Sequence, residues 1–470
     1  MSVWAIAFGC IIGWGSFINP GKKFLPNSGA AGTAIAMLLG ALVMVIIACS
    51  YAYLVPKHPK AGGEFTFAKE NFGKIPAFVC GWFLVAAYLT NVPMNSTAIP
   101  LIIEGLFGKN ALNWGGIGYN IAGSSVTIGG IVIAAGILLL FGLLNIWGVK
   151  KASFVQTVLA SLLALCAFTL FIAGLVSAKA KGVNLEPVWG FDKAAAIANG
   201  SYNESMANHN WLAAILATFA IAPWAFVGFD TIPQAAEEFK FPYKKVMGIL
   251  VIAIAFGAFV YISNNTIAAA ALENWPDRCA AGDWVLLIAA EELLGGFGKV
   301  LIGVGVSCAV LSGIMGFYLA SSRLMYSMAR DGFLPGTFGK IDEKHGTPRN
   351  AMIFCIAVSL LGPVLGREAL GWFVDMSAIG ASIGYFFTCL ATAKEIRKYK
   401  DGKKGLFALA VVGVVFSVTF MVLQLIPIPG LEGVHFCWQS YVMLAVWILI
   451  GAVFYIKQRK KMGALMTDNA

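Results

Sequence analysis

Charged residues are scarce in this chain: Asp, Glu, Lys and Arg together make up 12% of its 470 residues. A soluble domain carries about 25% charged residues, so this composition excludes an ordinary water-soluble protein. Apolar residues instead reach 59%. Long stretches of such residues are typical of helices that cross a lipid bilayer. The composition therefore predicts an integral membrane protein without a soluble domain.

The usual sequence patterns of metal sites and disulfide frameworks are also missing. There are only four His residues, and neither an HExxH nor a CxxC pattern occurs. The nine Cys residues follow no repeated spacing, and most lie inside apolar segments. Cys279 and Cys437 lie in or near predicted segments on the outer side of the membrane, where they could pair. No cofactor is predicted, and the convergent polar groups of a membrane-embedded enzyme are lacking.

Apolar segments of sufficient length to cross a bilayer recur along the whole chain. Gly295–Gly298 interrupts the eighth of them near its beginning. The predicted fold is all-α, with about twelve transmembrane helices in a single transporter domain, 1–470. The predicted spans are 3–25, 30–55, 76–104, 126–145, 152–177, 211–235, 245–271, 284–325, 350–366, 370–393, 405–426 and 438–457.

Basic residues give the chain a net charge of +10, but their positions argue against nucleic-acid binding. When the N-terminus is placed inside, 24 of the 33 Lys and Arg residues lie in the predicted cytoplasmic segments. This bias is the positive-inside signal of membrane proteins. It predicts a multi-pass protein of a bacterial plasma membrane, with both chain ends in the cytoplasm. The oligomeric state is not predicted.

Two apolar segments contain residues that interrupt a helix, at corresponding places in two halves of the chain. The first break, Ile12–Ser16, contains Gly13 and Gly15, and the second, Ala222–Gly228, contains Pro223. The halves are 1–177 and 210–393, each with five spans, so the second enters the membrane from the opposite side. The two last helices, 405–457, are expected at the periphery. Paired broken helices are typical of the midplane site of a transporter.

Each break has two interpretations that the residues leave open. Unwound backbone offers free N–H groups, and a half-helix beginning near Ser16 would bind a carboxylate. Alternatively, the glycines of the first break allow neighbouring helices to pack closely. In the second break, Trp224 either faces a cavity as a gate or fills the protein core.

Polar side chains within the apolar segments are the other candidates. Asp230 is either a proton-coupling group or a structural group bonded to a broken helix end, and Asp375 ranks below it. Asn91 and Asn95 share one helix face and either contact substrate or bond neighbouring helices. Ser307 and Ser312 either bind sodium beside the first helix or bond their own backbone.

At these positions the chain resembles the amino acid–polyamine–organocation superfamily of transporters. The family's first-helix segment I-G-S-G-I-F is similar to Ile12–Phe17. Its G-F-E and A-E-E-x-x-x-P patterns resemble Gly228–Asp230 and Ala236–Pro242. Its S-R-x-x-Y-x-M-A-R-D-G-x-x-P motif is similar to Ser322–Pro335. The resemblance covers nearly the whole chain, and the last of these motifs is long and specific.

The resemblance implies a LeuT-like fold of ten core helices in two inverted repeats with broken first and sixth helices. It also implies alternating access and a substrate that is an amino acid or an amine. Backbone at Gly13–Gly15 would then hold the substrate carboxylate, and Asp230 would stand where a relative has a glutamate linked to proton sensitivity. A coupling lysine of some members would fall at Leu163. The substrate-binding residues so expected are Ile12, Gly13, Trp14, Gly15, Ser16, Asn91, Ala222, Trp224, Ala225, Phe226 and Phe317.

The sequence thus predicts a secondary transporter for a small amino acid or related amine, with H⁺ symport, Na⁺ symport and exchange left open. The lack of an acidic residue placed to hold a cationic side chain favours a neutral substrate. Trp14 stands in the carboxylate loop where the family has a small residue, so its orientation is left open. The alternative is an accessory or receptor-like protein that has the same fold but transports nothing.

Overall fold

A computed structural model describes residues 3–108, 110–121, 124–234, 245–366, 369–428 and 435–467. Nearly all regular structure in these ranges is helical. Nine helical stretches within them are long and apolar enough to cross a membrane. They are Trp4–Leu54, Lys74–Phe107, Ile128–Ile146, Ala152–Val176, Val246–Ala270, Gly296–Arg330, Gly371–Tyr399, Lys404–Leu425 and Trp438–Gln458. The fold is therefore that of a multi-pass membrane protein.

These nine stretches are three fewer than the twelve predicted spans. The first two are joined in Trp4–Leu54, whose 51 residues exceed the length of two crossings of about 20 residues each. The sixth and ninth consist of shorter helices, within Trp211–Gln234 and Arg349–Leu365. The predicted interruption of the eighth is present, because a helix ends at Leu294 and the next begins at Gly296. The exact count of twelve stays a prediction.

Helices α1 to α9 lie in the first half of the chain. They are α1 Val3–Ile11, α2 Gly15–Asn19, α3 Leu25–Leu54, α4 Gly63–Phe72, α5 Lys74–Ser96, α6 Ala98–Phe107, α7 Ile128–Ile146, α8 Val149–Val176 and α9 Lys193–Asn199. A π-helical turn, Pro20–Phe24, connects α2 to α3. Short 3₁₀ turns lie at Trp114–Gly116, Gly182–Leu185, Glu204–Met206 and Gly336–Gly339.

Helices α10 to α21 follow from Trp211 onward. They are α10 Trp211–Phe219, α11 Ala222–Phe226, α12 Thr231–Gln234, α13 Val246–Ala270, α14 Trp275–Ala280, α15 Val285–Leu294, α16 Gly296–Arg330, α17 Arg349–Ser359, α18 Gly362–Leu365, α19 Ala369–Tyr399, α20 Lys404–Leu425 and α21 Trp438–Thr467.

A small β-hairpin departs from the all-α prediction. Strand β1, Gly118–Ile121, pairs antiparallel with β2, Ser124–Thr127. The fourth span was expected from residue 126, but α7 begins at Ile128 because Thr127 caps it. The Thr127 hydroxyl oxygen accepts the Gly130 N–H at 3.2 Å. A Thr at this position satisfies a backbone donor that the first helical turn leaves open.

The first apolar segment is interrupted where the sequence predicts. Helix α1 ends at Ile11, and α2 begins at Gly15 after three non-helical residues. The second interruption differs in detail from the prediction, because Ala222–Phe226 forms the short helix α11. Pro223 lies in its first turn, where the missing N–H leaves no hydrogen bond unmade. The unwound part is Val227–Asp230, with Gly228 at a φ of 132°.

Burial separates a core from a periphery. In the most apolar part of α16 and of Lys74–Phe107, 78% and 72% of the residues are buried. In the most apolar part of α21 the share is 11%. Helix α21 is nevertheless attached to α5 by a reciprocal pair of indole bonds. Trp82 Nε1 donates to the Trp447 carbonyl at 2.9 Å, and Trp447 Nε1 donates to the Trp82 carbonyl at 3.1 Å. Asp375 adds another attachment, because its carboxylate accepts the Ser440 hydroxyl at 2.6 Å.

All nine cysteines are free thiols, so the pairing of Cys279 with Cys437 is absent from the structure. Cys279 is buried, whereas Cys437 is exposed. Nothing in the cysteine pattern therefore constrains the helices covalently. The packing of apolar and small side chains holds them together.

Candidate functional site

The two helix breaks contact each other in the interior. A Cβ atom on Gly228 would lie 2.5 Å from the Cys10 Cβ and 2.7 Å from the Ile11 backbone nitrogen. No real Cβ makes such contacts, so the second break approaches the end of α1 only because residue 228 is glycine. Its positive φ adds to this requirement, since other residues rarely adopt that conformation.

A small cavity lies beside this contact, between the two breaks. Its volume is about 10 Å³, room for about one water molecule. None of the side chains that line it is charged. The lining residues are Cys10, Ile11, Gly13, Trp14, Asn91, Met94, Asn95, Trp224, Val227, Tyr261 and Phe317. The cavity therefore suits a small guest without a charged side chain.

Polar atoms without a partner line this cavity. The Trp14 indole N–H and the Asn95 side-chain oxygen are both buried, and neither has a hydrogen-bond partner. The Asn95 oxygen lies 3.6 Å from where a Cβ on Gly13 would stand, so it faces the first break. Each buried polar group left without a hydrogen bond lowers the stability of the fold by about 1–3 kcal/mol. A donor and an acceptor are thus available for a polar guest.

The backbone of the first break adds further donors. Among the described residues, the N–H groups of Gly13, Trp14 and Gly15 make no backbone hydrogen bond. The next amide donors, Ser16 and Phe17, bond to the carbonyls of Gly13 and Trp14 at 3.4 and 3.0 Å. The unwound segment therefore presents free amide groups, as expected from its glycines.

Two indoles close one side of the cavity. The ring centroids of Trp14 and Trp224 are 6.0 Å apart. The Trp224 ring lies directly on Gly15, where an added Cβ would be 2.4 Å from the Cη2 atom of the indole. Trp14 lines the cavity, so its indole does not turn away from the predicted site. On the far side, Phe317 stacks on Tyr88 at 6.3 Å.

Several predicted substrate-binding residues are buried but do not line the cavity. The Ser16 hydroxyl donates to the Gly13 carbonyl at 3.0 Å. Ala222 and Phe226 pack against Gly40 of α3. Ile12 and Ala225 are also in this group. Asn91 does line the cavity, but its amide N–H groups are already bonded, to the Ala87 carbonyl and the Ser377 hydroxyl, both at 2.7 Å.

Other lining residues were missed by the sequence reasoning. Met94, Val227 and Tyr261 carry no polar pattern that would single them out in an apolar segment. Asn95 had a signal, because it follows Asn91 by four residues on the same helix face. The structure favours Asn95 of the two, since its side-chain oxygen is the one left without a partner.

Asp230 stabilises the second break through hydrogen bonds. One carboxylate oxygen accepts the Gly228 N–H at 2.7 Å, and the other accepts the Tyr88 hydroxyl at 3.1 Å. The Thr231 hydroxyl donates to the Gly228 carbonyl at 2.6 Å. Asp230 therefore satisfies unwound backbone, as one of its two interpretations expects, and it does not line the cavity.

A second buried carboxyl, Glu64 of α4, lies close to Asp230. Its oxygens accept the Tyr51 hydroxyl and the Gln234 amide N–H, both at 2.6 Å. The Tyr88 hydroxyl is 3.4 Å from the Glu64 carboxyl. Burial, together with repulsion from Asp230, raises the pKa of the Glu64 carboxyl above its ordinary value. Nothing in the sequence around Glu64 predicted this burial, because α4 is not an apolar segment.

The predicted sodium ligands are placed differently from each other. The Ser312 hydroxyl donates to the Gly9 carbonyl of α1 at 3.1 Å, whereas Ser307 is half-buried. Leu163 is buried on α8, and from the same helix Gln156 donates to the Ala5 carbonyl at 3.1 Å. Among the residues that the structure describes, no group of three His, Cys, Asp or Glu residues could hold a metal ion. A sodium site at Ser312 stays a prediction.

Comparison with known proteins shows the family of this chain. A family model described as amino acid permease matches residues 1–453. The chain belongs to the amino acid permease family. Several of its relatives are named as amino acid transporters or permeases. The resemblance noted on the sequence motifs is thereby confirmed.

Relatives of this permease come from distant organisms. The human large neutral amino acids transporter small subunit 2 is 29% identical over 77% of this chain, which spans 63% of that protein's length. In Bacillus subtilis, the branched-chain amino acid permease BcaP is 24% identical over 97% of this chain and 91% of its own length. The methylthioribose transporter of the same organism is 23% identical over 97% of this chain and 92% of its own.

Proposed function

We propose that this permease is a secondary transporter that carries a small neutral amino acid across the plasma membrane by alternating access. The observation that supports it most directly is the uncharged cavity between the two breaks, with its unpartnered donor and acceptor. In this closed arrangement the cavity volume is about 10 Å³, room for about one water molecule. The breaks would therefore have to move apart to admit a substrate.

The polar groups match the two ends of an amino acid. The Trp14 indole N–H and the free amides of Gly13–Gly15 would donate to the substrate carboxylate. The Asn95 side-chain oxygen would accept from the ammonium group. Bound substrate would supply the partners that these buried groups lack, which makes binding favourable.

The lining argues for a neutral substrate side chain. A cationic side chain would bring a charge into a cavity that has no acidic residue to pair with it. An unpaired buried charge is strongly unfavourable. The names of two relatives, a large neutral amino acids transporter and a branched-chain amino acid permease, agree with this choice.

Trp224 would act as the gate of this cavity. Its indole covers the first break by lying on Gly15, so substrate enters or leaves only when α11 moves. In transporters with broken helices, one repeat or helix bundle rocks or gates against the other around a site at the midplane. The distribution of basic residues supports a cytoplasmic location for both chain ends.

The test is counterflow of radiolabelled L-leucine, L-serine, L-arginine and methylthioribose into proteoliposomes. We expect the neutral amino acids to exchange, and Trp224→Leu to lower their exchange more than about tenfold, a barrier change of about 1.4 kcal/mol. Trp211→Leu is the matched control, because Trp211 begins α10 and is exposed. Normal exchange by a folded Trp224→Leu protein would contradict this site, and exchange of L-arginine alone would contradict the neutral substrate.

Binding without transport would identify the alternative function. If an amino acid raises the thermal stability of the purified protein but none exchanges, the protein is an accessory or receptor-like member of the family. Ligands that bind the native state alone raise its apparent stability, so this measurement is independent of transport. Asn95→Leu should weaken that stabilisation, because it removes the acceptor that faces the first break.

A further inference from the structure

Glu64 and Asp230 form a pair of buried carboxyls outside the substrate cavity. Both side chains are fully buried. Among the described residues, no Lys, Arg or His forms an ion pair with either of them. Two uncompensated negative charges in apolar surroundings repel each other and lose their hydration. The pair therefore needs a positive charge that the described side chains do not supply.

The Tyr88 hydroxyl connects the two carboxyls. It lies 3.1 Å from an Asp230 oxygen and 3.4 Å from a Glu64 oxygen. A tyrosine hydroxyl has one hydrogen, so it can donate to only one carboxylate at a time. If Glu64 carries a proton, it can donate to the Tyr88 oxygen while Tyr88 donates to Asp230. One added proton thus completes a continuous chain of hydrogen bonds.

The hydrogen bonds distinguish the roles of the two acids. Asp230 accepts from the Gly228 amide and from Tyr88, both of which favour an ionised carboxylate. Glu64 lies in α4, and its hydrogen bonds among the described residues go to Tyr51, Tyr88 and Gln234 and not to the backbone of the break. Protonation at Glu64 therefore leaves the bracing of the second break intact, whereas protonation of Asp230 would weaken it.

Buried polar groups around the pair also lack partners. The Tyr385 hydroxyl of α19 has none, although it is close enough to both carboxyls for their charges to act on it. The Gln234 side-chain oxygen has none either. The titratable groups that face the pair from the neighbouring helices are Cys10 of α1, Tyr51 of α3, Cys80 and Tyr88 of α5, and Tyr385. All of these are neutral when protonated, so none balances the negative charges.

We propose that Glu64 and Asp230 form a proton-binding site that holds one shared proton while the substrate cavity is closed. The proton leaves when the second break moves away from α4. This inference rests on the proposed transport function, because the same movement changes the cavity: Asp230 holds the Gly228 amide, and Gly228 packs on Cys10 and Ile11 beside the cavity. Amino acid transport by this protein is thereby coupled to a proton.

The experiment compares the wild type with Glu64→Gln, Asp230→Asn and Glu70→Gln in proteoliposomes. Glu70→Gln is the matched control, since it makes the same change on an exposed position of α4. L-Leucine counterflow is measured from about pH 6 to about pH 8.5, and trapped pyranine reports proton movement during L-leucine uptake. Wild-type and Glu70→Gln rates should fall about tenfold per unit above the midpoint, as the protonated fraction falls.

Glu64→Gln should keep its exchange rate at all these pH values and move no protons, because an amide mimics the protonated acid. Asp230→Asn should shift the wild-type midpoint to lower pH by about one unit, since it removes the neighbouring charge. Unchanged pH dependence in both variants overturns the proposal, while the proposed function stands.

If the wild type does not exchange L-leucine at all, thermal stability provides the test. A wild-type melting temperature that falls with rising pH, beside a flat Glu64→Gln profile, supports the proton site, and identical profiles overturn it.

Discussion

The two helix breaks meet in the interior, but their backbone groups are satisfied in different ways. At the first break, the amides of Gly13, Trp14 and Gly15 make no backbone bond among the described residues, and the nearest free side-chain groups face a cavity. At the second, Asp230 and Thr231 bond both the N–H and the C=O of Gly228. Unpaired backbone in lipid surroundings is unfavourable unless something binds it. The first break therefore has backbone amide groups available to bind a ligand, whereas the second is already stabilised by its own side chains.

Under the proposed function, this difference also separates substrate binding from proton coupling. The first break lies against the uncharged cavity, whereas the second is connected through Tyr88 to a buried acid on α4. A ligand can shift a conformational equilibrium only by binding its two states differently. A substrate at the first break and a proton near the second would bias the same movement through the contact of Gly228 with Cys10.

The largest expected effect comes from closing the space between the breaks. Gly228→Ala would place a Cβ 2.5 Å from the Cys10 Cβ at a φ that alanine rarely adopts. We expect a loss of about 3 kcal/mol or more, measured as a lower yield of monodisperse protein and a lower melting temperature. Gly248→Ala is the control, because nothing lies within 4 Å of its added Cβ. Equal stability of the two variants would mean that the breaks are not in contact.

A change at the first break should act on binding instead of stability. Gly15→Ala would push the Trp224 indole away, since its Cβ would lie 2.4 Å from the ring. Alanine is favourable in a helix by about 1 kcal/mol over glycine, so the protein should still fold. We expect affinity for L-leucine to fall about tenfold, which is about 1.4 kcal/mol. The smaller ring of Trp224→Phe, combined with Gly15→Ala, should restore part of it, and a double variant no better than Gly15→Ala would count against this contact.

Thermal stability should depend on pH through Glu64, which lies close to Asp230 of the second break. The pKa of Glu64 is raised in the folded protein, so the stabilising form is the protonated one. That contribution is present at low pH and is lost as the pH rises through the raised pKa, by about 1.4 kcal/mol per unit of pKa difference. The melting temperature should therefore fall from about pH 6 to about pH 9, and this slope should persist in Ser16→Ala. A slope that disappears when the first break is changed would place the titrating group elsewhere.

The smallest effects are expected for the single hydroxyls at each break. Thr231→Val removes the 2.6 Å bond to the Gly228 carbonyl, and Ser16→Ala removes the 3.0 Å bond to the Gly13 carbonyl. Each should lower stability by about 0.5–1.5 kcal/mol. Ser16→Ala should leave L-leucine affinity unchanged, because its hydroxyl does not line the cavity. A large loss of affinity in that variant would return Ser16 to the substrate site.

Sequence reasoning predicted the position of both breaks from glycine and proline alone. These residues act locally, so their effect on a helix is visible without the fold. It did not predict that Ala222–Phe226 is helical, because Pro223 is tolerated in a first helical turn and disruptive in a later one. Nor did it select Asn95 over Asn91, since which amide is bonded depends on Ser377, 286 residues away along the chain.

The amino-acid sequence by itself determined the membrane class, the approximate spans, the interrupted first and sixth segments and the family. Composition, apolar length and motifs are properties of neighbouring residues and need no tertiary contact. Only the tertiary structure decided that the breaks touch, which polar atoms remain unpaired between them, and that Glu64 approaches Asp230. Those features depend on helices α3, α4, α5 and α12 meeting in space, and burial of a charge by distant segments leaves no signature in the local sequence.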